Sequence, residues 1–307
     1  MKRLALGLGL AAIAGAGVAW LLTAPAPLAS DRLEAIAAID GDAAAGETLF
    51  WAGGCASCHA SPGSEGTARM VLSGGVKLAS DFGTFIAPNI SPDPQAGIGG
   101  WSVSEFANAM LAGVSPRGQH YYPAFPYTSY TRMSDRDIAD LFAFMKTLPE
   151  SQVASLPHEV GFPFNIRRSL GGWKLLFFTD APRVTLASSD PQIERGQYLV
   201  EGPGHCGECH TPRNPIGGFV SDAWLSGAQN PDGDGVIPNL TPGGKSISGW
   251  SAGDIAYYLE SGFTPDFDSA GGSMVEVQKN MAQLTSGDRE AIAAYLKALP
   301  ERSDGWE

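Results

Sequence analysis

The spacing of apolar and polar residues predicts that each half of the chain ends in an amphipathic helix. In the first half, Ser134 and Asp137 have the spacing of a helix N-cap, and Pro149 ends the run that follows. In the second half, Thr285 and Asp288 open a similar run. Apolar residues recur three or four positions apart in both runs, as on one helix face: Ile138, Leu141, Phe142, Met145 and Leu148, then Ile292, Tyr295, Leu296 and Leu299.

The same kind of pattern predicts further helices and no strands. Capping patterns at residues 102–105 and 251–254 predict two helices, which should end at Gly113 and Gly262. Shorter helices are expected at residues 46–51 and 194–200. The alternation of apolar and polar residues that is typical of half-buried strands is absent from the sequence. The predicted fold class is therefore all-α.

The second half of the chain repeats landmarks of the first half about 150 positions later, which indicates a duplicated unit. The paired landmarks are Cys55–His59 with Cys206–His210, Pro88–Pro92 with Pro238–Pro242, Gly100–Ser102 with Gly249–Ser251, and Leu148–Pro149 with Leu299–Pro300. The repeat predicts two tandem domains, residues 31–152 and 191–307, joined by residues 153–190. Because that linker is rich in proline and aromatic residues rather than in glycine and serine, we expect it to pack.

Residues 1–30 form a separate N-terminal segment. Lys2 and Arg3 precede an uncharged run from Leu4 to Leu22, and a helix of that length, at ~1.5 Å per residue, approaches the ~30 Å thickness of the apolar part of a bilayer. We therefore predict an N-terminal transmembrane anchor helix, with a single pass through the inner (cytoplasmic) membrane and both domains in the periplasm. A cleaved signal peptide is the alternative, because residues 24–26 resemble a cleavage site.

The charge of the chain excludes one class of function. Its 307 residues include 20 Lys and Arg against 32 Asp and Glu, a formal net charge of -12, and no basic cluster follows Arg3. A nucleic-acid-binding protein needs a basic surface, so we set that class aside. An acidic surface suits transient docking on a basic patch of a redox partner, and acidity that only keeps the chain soluble is the alternative explanation.

All four cysteines lie in two Cys-x-x-Cys-His motifs. Two thiols on one short helical turn can form thioethers with the vinyl groups of a haem, and the adjacent histidine can bind the iron from the same side. We therefore predict two covalently bound haem c groups. A thioredoxin-like pair needs no histidine, and a zinc site needs four ligands where each motif offers three. The predicted cofactor-binding residues are Cys55, Cys58, His59, Cys206, Cys209 and His210.

Each repeat resembles a class I cytochrome c domain, and residues 41–300 resemble the dihaem cytochrome c proteins that serve membrane-bound bacterial alcohol and aldehyde dehydrogenases. Besides the motifs, the likeness is carried by Pro88–Pro92, Gly100–Ser102, Tyr121–Tyr127 and Gly271–Val277. The resemblance implies an electron carrier without catalytic residues of its own. It would take electrons from a periplasmic dehydrogenase and pass them to quinone, another cytochrome or a terminal oxidase.

The resemblance also implies a methionine as the second axial ligand of each iron, opposite His59 and His210. In the second repeat the candidate is Met274, in a glycine-rich loop ahead of the last helix, and Met281 is the competitor.

The first repeat departs from the family's pattern. Its candidate ligand is Met133, directly before the capping Ser134, whereas relatives often carry methionine where Phe125 stands. His120 is an alternative ligand, which would lower the reduction potential of that haem.

The rival hypothesis is a dihaem enzyme, such as a peroxidase or thiosulfate dehydrogenase, in which one haem is open or unusually ligated. The departure at Phe125 keeps this hypothesis open. A high-spin ferric signal from one haem favours the enzyme, and two low-spin His/Met signals favour the carrier.

Overall fold

A computed structural model of the chain describes residues 13–230, 233 and 235–306. These residues fold mainly into helices with little strand, so the all-α prediction is confirmed in its main feature. The two strand pairs that do occur have two residues per strand. A strand of two residues is too short to produce a recognisable alternating pattern, which explains why no strand was predicted.

The first repeat consists of helices and one short strand pair. In chain order the elements are α1 (Ser30–Ala37), α2 (Ala43–Ala52), α3 (Cys55–His59), a 3-10 turn (Gly66–Met70), β1 (Lys77–Leu78), β2 (Phe85–Ile86), α4 (Val103–Ala112), α5 (Tyr127–Tyr130) and α6 (Asp135–Met145). Strands β1 and β2 are antiparallel, with Lys77 opposite Ile86. Helix α1 was not predicted; its Ile36 is fully buried in the core of this repeat.

The second repeat follows the same order after one helix in the linker. The elements are α7 (Ser169–Phe177) in the linker, then α8 (Pro191–Glu201), α9 (Gly207–His210), a 3-10 turn (Ser221–Ala223), β3 (Ala228–Gln229), β4 (Val236–Ile237), α10 (Ala252–Ser261), α11 (Met274–Met281) and α12 (Ser286–Ala298). Strands β3 and β4 are antiparallel, with Ala228 opposite Ile237.

The predicted helix boundaries in the middle of each repeat are confirmed. Ser102 caps α4 through a reciprocal pair of hydrogen bonds with Glu105, and Ser251 caps α10 in the same way with Asp254. At the other end, Gly113 has φ 59° and Gly262 has φ 79°. Because this left-handed conformation carries a steric penalty for side chains with a Cβ atom, glycine ends both helices.

In each repeat, the helix just before the cysteine motif crosses the last helix at a glycine. A Cβ atom on Gly46 of α2 would lie 2.0 Å from the carbonyl oxygen of Asp140 in α6. A Cβ atom on Gly196 of α8 would lie 1.9 Å from the carbonyl oxygen of Ala291 in α12. The two backbones can approach this closely only because neither glycine has a side chain, and the apolar residues around each crossing form that repeat's core.

The linker packs against the first repeat through Lys174 of α7. Its Nζ donates hydrogen bonds to the carbonyl oxygens of Ala112 at 2.7 Å and Gly113 at 2.9 Å, and lies 4.5 Å from the ring centre of Tyr127. Burial lowers the pKa of Lys174 to about 8. The ammonium group satisfies carbonyls at the carboxyl end of α4, where a positive charge is favoured. The division into residues 31–152, 153–190 and 191–307 stays a prediction.

The N-terminal prediction needs correction. Residues 13–22 are helical, whereas residues 1–12, which include much of the predicted Leu4–Leu22 span, lie outside the described residues. Within the described part of the chain, every helix is too short or too polar to cross a bilayer. The predicted single-pass location in the inner membrane is therefore not supported by the structure.

Candidate haem sites

The first Cys-x-x-Cys-His motif forms a single helical turn, α3, which follows directly on Gly54. Gly54 has φ 60°, so the chain turns sharply between α2 and α3. The hydroxyl of Tyr130 donates to the carbonyl oxygen of Gly53 at 3.1 Å and fixes this turn to α5. The turn places Cys55 and Cys58 on the same short helix, as the sequence predicts for two thioether bonds to one porphyrin.

Burial raises the pKa of the first cysteine in each motif. The pKa of Cys55 is raised to about 12, first by burial and then by the neighbouring Cys58. The pKa of Cys206 is raised to about 12 by burial and by Cys209. Without a bound group, both thiols are therefore protonated at neutral pH.

His59 is held in the orientation that an iron ligand needs. Its Nδ1 lies 2.8 Å from the carbonyl oxygen of Pro88, and its own carbonyl oxygen accepts from the backbone N–H of Gly74 at 2.7 Å. Because a carbonyl can only accept, Nδ1 carries the proton and Nε2 keeps a free lone pair. Burial lowers the pKa of His59, which also favours the neutral imidazole. The residues present therefore fit a haem iron on the Nε2 side.

The second motif reproduces this arrangement. His210 Nδ1 lies 2.7 Å from the carbonyl oxygen of Pro238, and the backbone N–H of Gly227 donates to the carbonyl oxygen of His210 at 2.8 Å. Burial lowers the pKa of His210 as well. The same fit to iron therefore occurs twice in the chain, at equivalent positions of the repeat.

The asparagine after each of these prolines holds the proline segment in place. Asn89 Nδ2 donates to the carbonyl oxygens of Ser151 at 2.7 Å and Val153 at 2.8 Å. Asn239 Nδ2 donates to the carbonyl oxygen of Arg302 at 3.0 Å, and both asparagines are buried. The sequence showed the Pro-Asn pair as a repeated landmark but not its role, which is to fix the carbonyl that orients the histidine.

The candidate distal ligands differ in their surroundings. Met274 is the first residue of α11 and is half-buried at the edge of the second core, whereas Met281, at the other end of α11, is only 4% exposed. Met133 is 3% exposed within the first core. His120 Nε2 lies 3.0 Å from the carbonyl oxygen of Thr23, in the N-terminal segment. These contacts do not test which residue binds either iron, so the ligand assignments stay predictions.

The two motifs contact each other's repeats in a reciprocal way. The residue before the second cysteine of the first motif, Ser57, accepts at Oγ from Asn280 Nδ2 of α11 at 2.6 Å. Its counterpart in the second motif, Glu208, accepts at Oε1 from Thr128 Oγ1 at 2.9 Å and Ser129 Oγ at 3.1 Å, both in α5. The two attachment turns are therefore fixed with respect to one another.

His205 completes the contact between the two turns. Its Nε2 lies 3.2 Å from the carbonyl oxygen of Gly53, and its ring centre lies 5.6 Å from that of Tyr130. His205 has φ 39°, in the region where Gly54 lies in the first repeat, and few residues with a side chain adopt this conformation. The sequence placed His205 beside Cys206 but could not show that it reaches the other repeat.

The Glu208→Ala substitution is expected to lower the free energy of unfolding by about 2 kcal/mol, because it leaves two hydroxyl donors of α5 and the guanidinium of Arg213 without their acceptor. Thermal unfolding of the haem-loaded protein measures the change. The matched control is Glu159→Ala, which breaks a 2.8 Å ion pair with Lys77 whose side chains are 57% and 59% exposed. An exposed pair of this kind contributes about 0.5 kcal/mol. Equal effects of the two substitutions would contradict a structural role for Glu208.

Two helical repeats, each with a thiol pair and a histidine fixed through Nδ1, define the class of haem-binding cytochromes c. The sequence model of the cytochrome c family matches residues 43–149. A diheme cytochrome c-type protein from Cereibacter sphaeroides is 55% identical, over 97% of this chain and 98% of its own length. The chain therefore belongs to the dihaem c-type cytochrome family, and it carries covalently bound haem c groups.

Two further relatives are subunits of dehydrogenases. The cytochrome c subunit of the quinone alcohol dehydrogenase of Gluconobacter oxydans is 34% identical over 93% of this chain and 61% of its own length. The fructose dehydrogenase cytochrome subunit of Gluconobacter japonicus is 34% identical over 84% of this chain and 53% of its own length. The chain thus spans little more than half of these subunits. The relatives are named as a diheme cytochrome c and as cytochrome subunits of dehydrogenases, and the chain is an electron carrier, as predicted.

Proposed function

We propose that the chain relays electrons, one at a time, from a dehydrogenase to a quinone, another cytochrome or a terminal oxidase. One haem would be attached at each cysteine pair, with His59 and His210 as the proximal iron ligands and Met274 as the distal ligand of the second iron. The observation that supports this most strongly is the matched geometry of the two histidines, whose Nδ1 atoms bind proline carbonyls at 2.8 and 2.7 Å. Each Nε2 atom is thereby left to bind iron.

A haem c bound at these sites supplies a one-electron iron couple. The chain's own residues then have two tasks. The carbonyl oxygens of Pro88 and Pro238 fix the ring orientation and tautomer of the histidines and raise their basicity. The contacts of Ser57, Glu208 and His205 hold the two attachment turns at a fixed separation. The two attachment turns are therefore parts of one packed interface.

The proposed electron donor is a dehydrogenase, because several relatives are named as cytochrome subunits of dehydrogenases. The net charge of -12 suits docking on a basic patch, which mainly accelerates association. We also propose the division into a first domain at residues 31–152, a linker at 153–190 and a second domain at 191–307.

Removing one cysteine pair at a time tests the assignment of the two attachment sites. The Cys55→Ala/Cys58→Ala variant and the Cys206→Ala/Cys209→Ala variant are each expected to hold one covalent haem per chain, where the parent holds two, because each loses one pair of thioether bonds. Mass spectrometry and the pyridine haemochrome assay of the purified protein measure the haem count. Each variant is the control for the other.

The relay is tested by mixing the oxidised protein with a reduced quinone-type alcohol dehydrogenase. Both haems of the parent should become reduced, whereas either double variant should pass few or no electrons to a downstream cytochrome. Two covalent haems in both variants would contradict the assigned sites, and a parent that the dehydrogenase cannot reduce would contradict the proposed donor.

A further inference from the structure

The position of Met133 in the repeat is that of a core residue. Met133 directly precedes Ser134, the N-cap of α6, and Leu284 directly precedes Thr285, the N-cap of α12. Met133 is 3% exposed in the first core and Leu284 is 4% exposed in the second. Because the aliphatic Leu284 fills this place in the second repeat, packing alone accounts for an apolar side chain there. Met133 is therefore packed as Leu284 is, as part of a repeat's core.

The candidate ligand of the second iron lies in a different segment. Met274 begins α11, which extends to Met281, and it is half-buried. The corresponding helix of the first repeat, α5, is only Tyr127–Tyr130. The loop before α5 contains Phe125 but no methionine. The repeat thus places Phe125 and its neighbours where the second repeat carries its distal ligand.

The other methionines that the structure describes in this repeat do not replace it. Met110 and Met145 are buried in the core, with 6% and 3% of their surface exposed. Met70 ends the 3-10 turn that follows the first motif. Shortly after it, the backbone N–H of Gly74 donates to the carbonyl oxygen of His59 at 2.7 Å. Met70 therefore lies in the segment that is bonded to the proximal histidine.

The remaining candidate ligands contact other parts of the chain. His120 Nε2 lies 3.0 Å from the carbonyl oxygen of Thr23, and its Nδ1 is buried with no hydrogen-bond partner in the described part of the chain. The ring is tied to the N-terminal segment, and Lys174 and Arg168 lie close enough to act on it electrostatically. The hydroxyl of Tyr130 is bound to Gly53. Burial raises the pKa of Tyr121 to about 12, so this side chain is not a phenolate at neutral pH. The two tyrosines are therefore not arranged to bind an iron opposite His59, and a His120→Gln variant serves as a further control for the proposal.

We propose that the iron of the first haem has no protein ligand opposite His59 and that, in its reduced form, it binds a small neutral diatomic molecule such as carbon monoxide or nitric oxide. The proposal rests on the proposed attachment of a haem at the first motif. The ligand would lie beside Phe125, whose ring centre is 5.4 Å from that of Tyr121, 5.8 Å from that of Tyr130 and 6.4 Å from that of Tyr127. This aromatic lining favours a small uncharged ligand over a bulky or charged one.

Carbon monoxide titration of the dithionite-reduced, haem-loaded protein tests the proposal. The parent is expected to bind one carbon monoxide per chain, measured from the shift of the Soret band. Met133→Leu should leave both this stoichiometry and the oxidised spectrum unchanged, because it replaces one core side chain by another. The matched substitution Met274→Leu should raise the stoichiometry to two, because it removes a ligand from the second iron. Phe125→Met should lower it to zero by supplying a thioether.

The outcomes separate this proposal from the proposed function. Two covalent haems per chain with no carbon monoxide bound would overturn the proposal while leaving the attachment sites intact. A stoichiometry that rises from zero to one in Met133→Leu would identify Met133 as the ligand, and the same rise in His120→Gln would identify His120; either result would overturn the proposal. Phe125→Met that binds as much carbon monoxide as the parent would overturn the placement beside Phe125. A parent with fewer than two haems would instead contradict the proposed attachment. Circular dichroism and the haem count confirm that each variant is folded.

Discussion

Gly196→Ala is expected to lower the free energy of unfolding of the second repeat by about 3 kcal/mol, the upper part of the usual range for overpacking a core. The added methyl group would lie 1.9 Å from the carbonyl oxygen and 2.6 Å from the carbonyl carbon of Ala291. Both are backbone atoms of α12, so no side chain can rotate to relieve the clash. Helices α8 and α12 would have to separate, which opens the core between them. Thermal or denaturant unfolding of the haem-loaded protein, followed by circular dichroism, measures the loss.

The matched control is Gly253→Ala, the same substitution within α10 of the same repeat. A Cβ atom there would have Ser251 Oγ at 3.6 Å as its nearest neighbour, an ordinary contact. Alanine is favoured over glycine inside a helix by about 1 kcal/mol, so this variant should be as stable as the parent or more so. Gly46→Ala should reproduce the destabilisation in the first repeat. Equal unfolding midpoints for Gly196→Ala and Gly253→Ala would show that the helices do not cross at the assigned distance.

These two glycines show where the sequence was hard to interpret. Gly46 and Gly196 occupy equivalent places in the repeat, and each lies inside a helix that the pattern predicted. Glycine destabilises an isolated helix relative to alanine. The compensating contact comes from a helix almost a hundred residues further along the chain. The signal that could have revealed it is the coincidence of both glycines at matched positions.

Most of the helical framework could be predicted because its determinants are local. The capping boxes at Ser102 and Ser251, the terminal glycines and the apolar stripes of α6 and α12 each act over one or two helical turns. The cysteine motifs are equally local, since the two thiols and the histidine of each haem site lie within five residues. Short-range patterns of this kind are the strongest signals that a single sequence contains.

The contacts between the repeats could not be predicted for the opposite reason. His205 is bonded to Gly53, and Ser57 to Asn280, across more than 150 and 200 positions of sequence. Such pairs depend on how two folded units dock, which no periodicity encodes. Met133 shows a related difficulty. Its place before Ser134 predicts a ligand from the sequence, whereas its burial in the core is visible only in the folded chain, so the prediction and the proposal above differ on this residue.

His210→Gly is expected to abolish the low-spin signal of one of the two haems while leaving both haems covalently attached. Nδ1 of His210 is committed to the carbonyl oxygen of Pro238 at 2.7 Å, so Nε2 is the atom available to the iron. Removing the ring removes that ligand but not Cys206 or Cys209, which form the thioether bonds. The haem count should stay at two, the low-spin signal of the second haem should be lost, and electron delivery through the second site should fail.

Added imidazole provides the decisive second measurement. Because the glycine leaves space beside Pro238, free imidazole can enter, bind the same carbonyl and present its other nitrogen to the iron, so the low-spin signal should return. The matched control is His158→Gly in the linker, a histidine that also bonds to backbone, accepting from the N–H of Ile86 at 3.1 Å. It should leave both haem spectra unchanged. An unaltered spectrum in His210→Gly, or no response to imidazole beyond that of the control, would mean that His210 is not the proximal ligand. The matched hydrogen bonds of the two histidines would then require a different explanation.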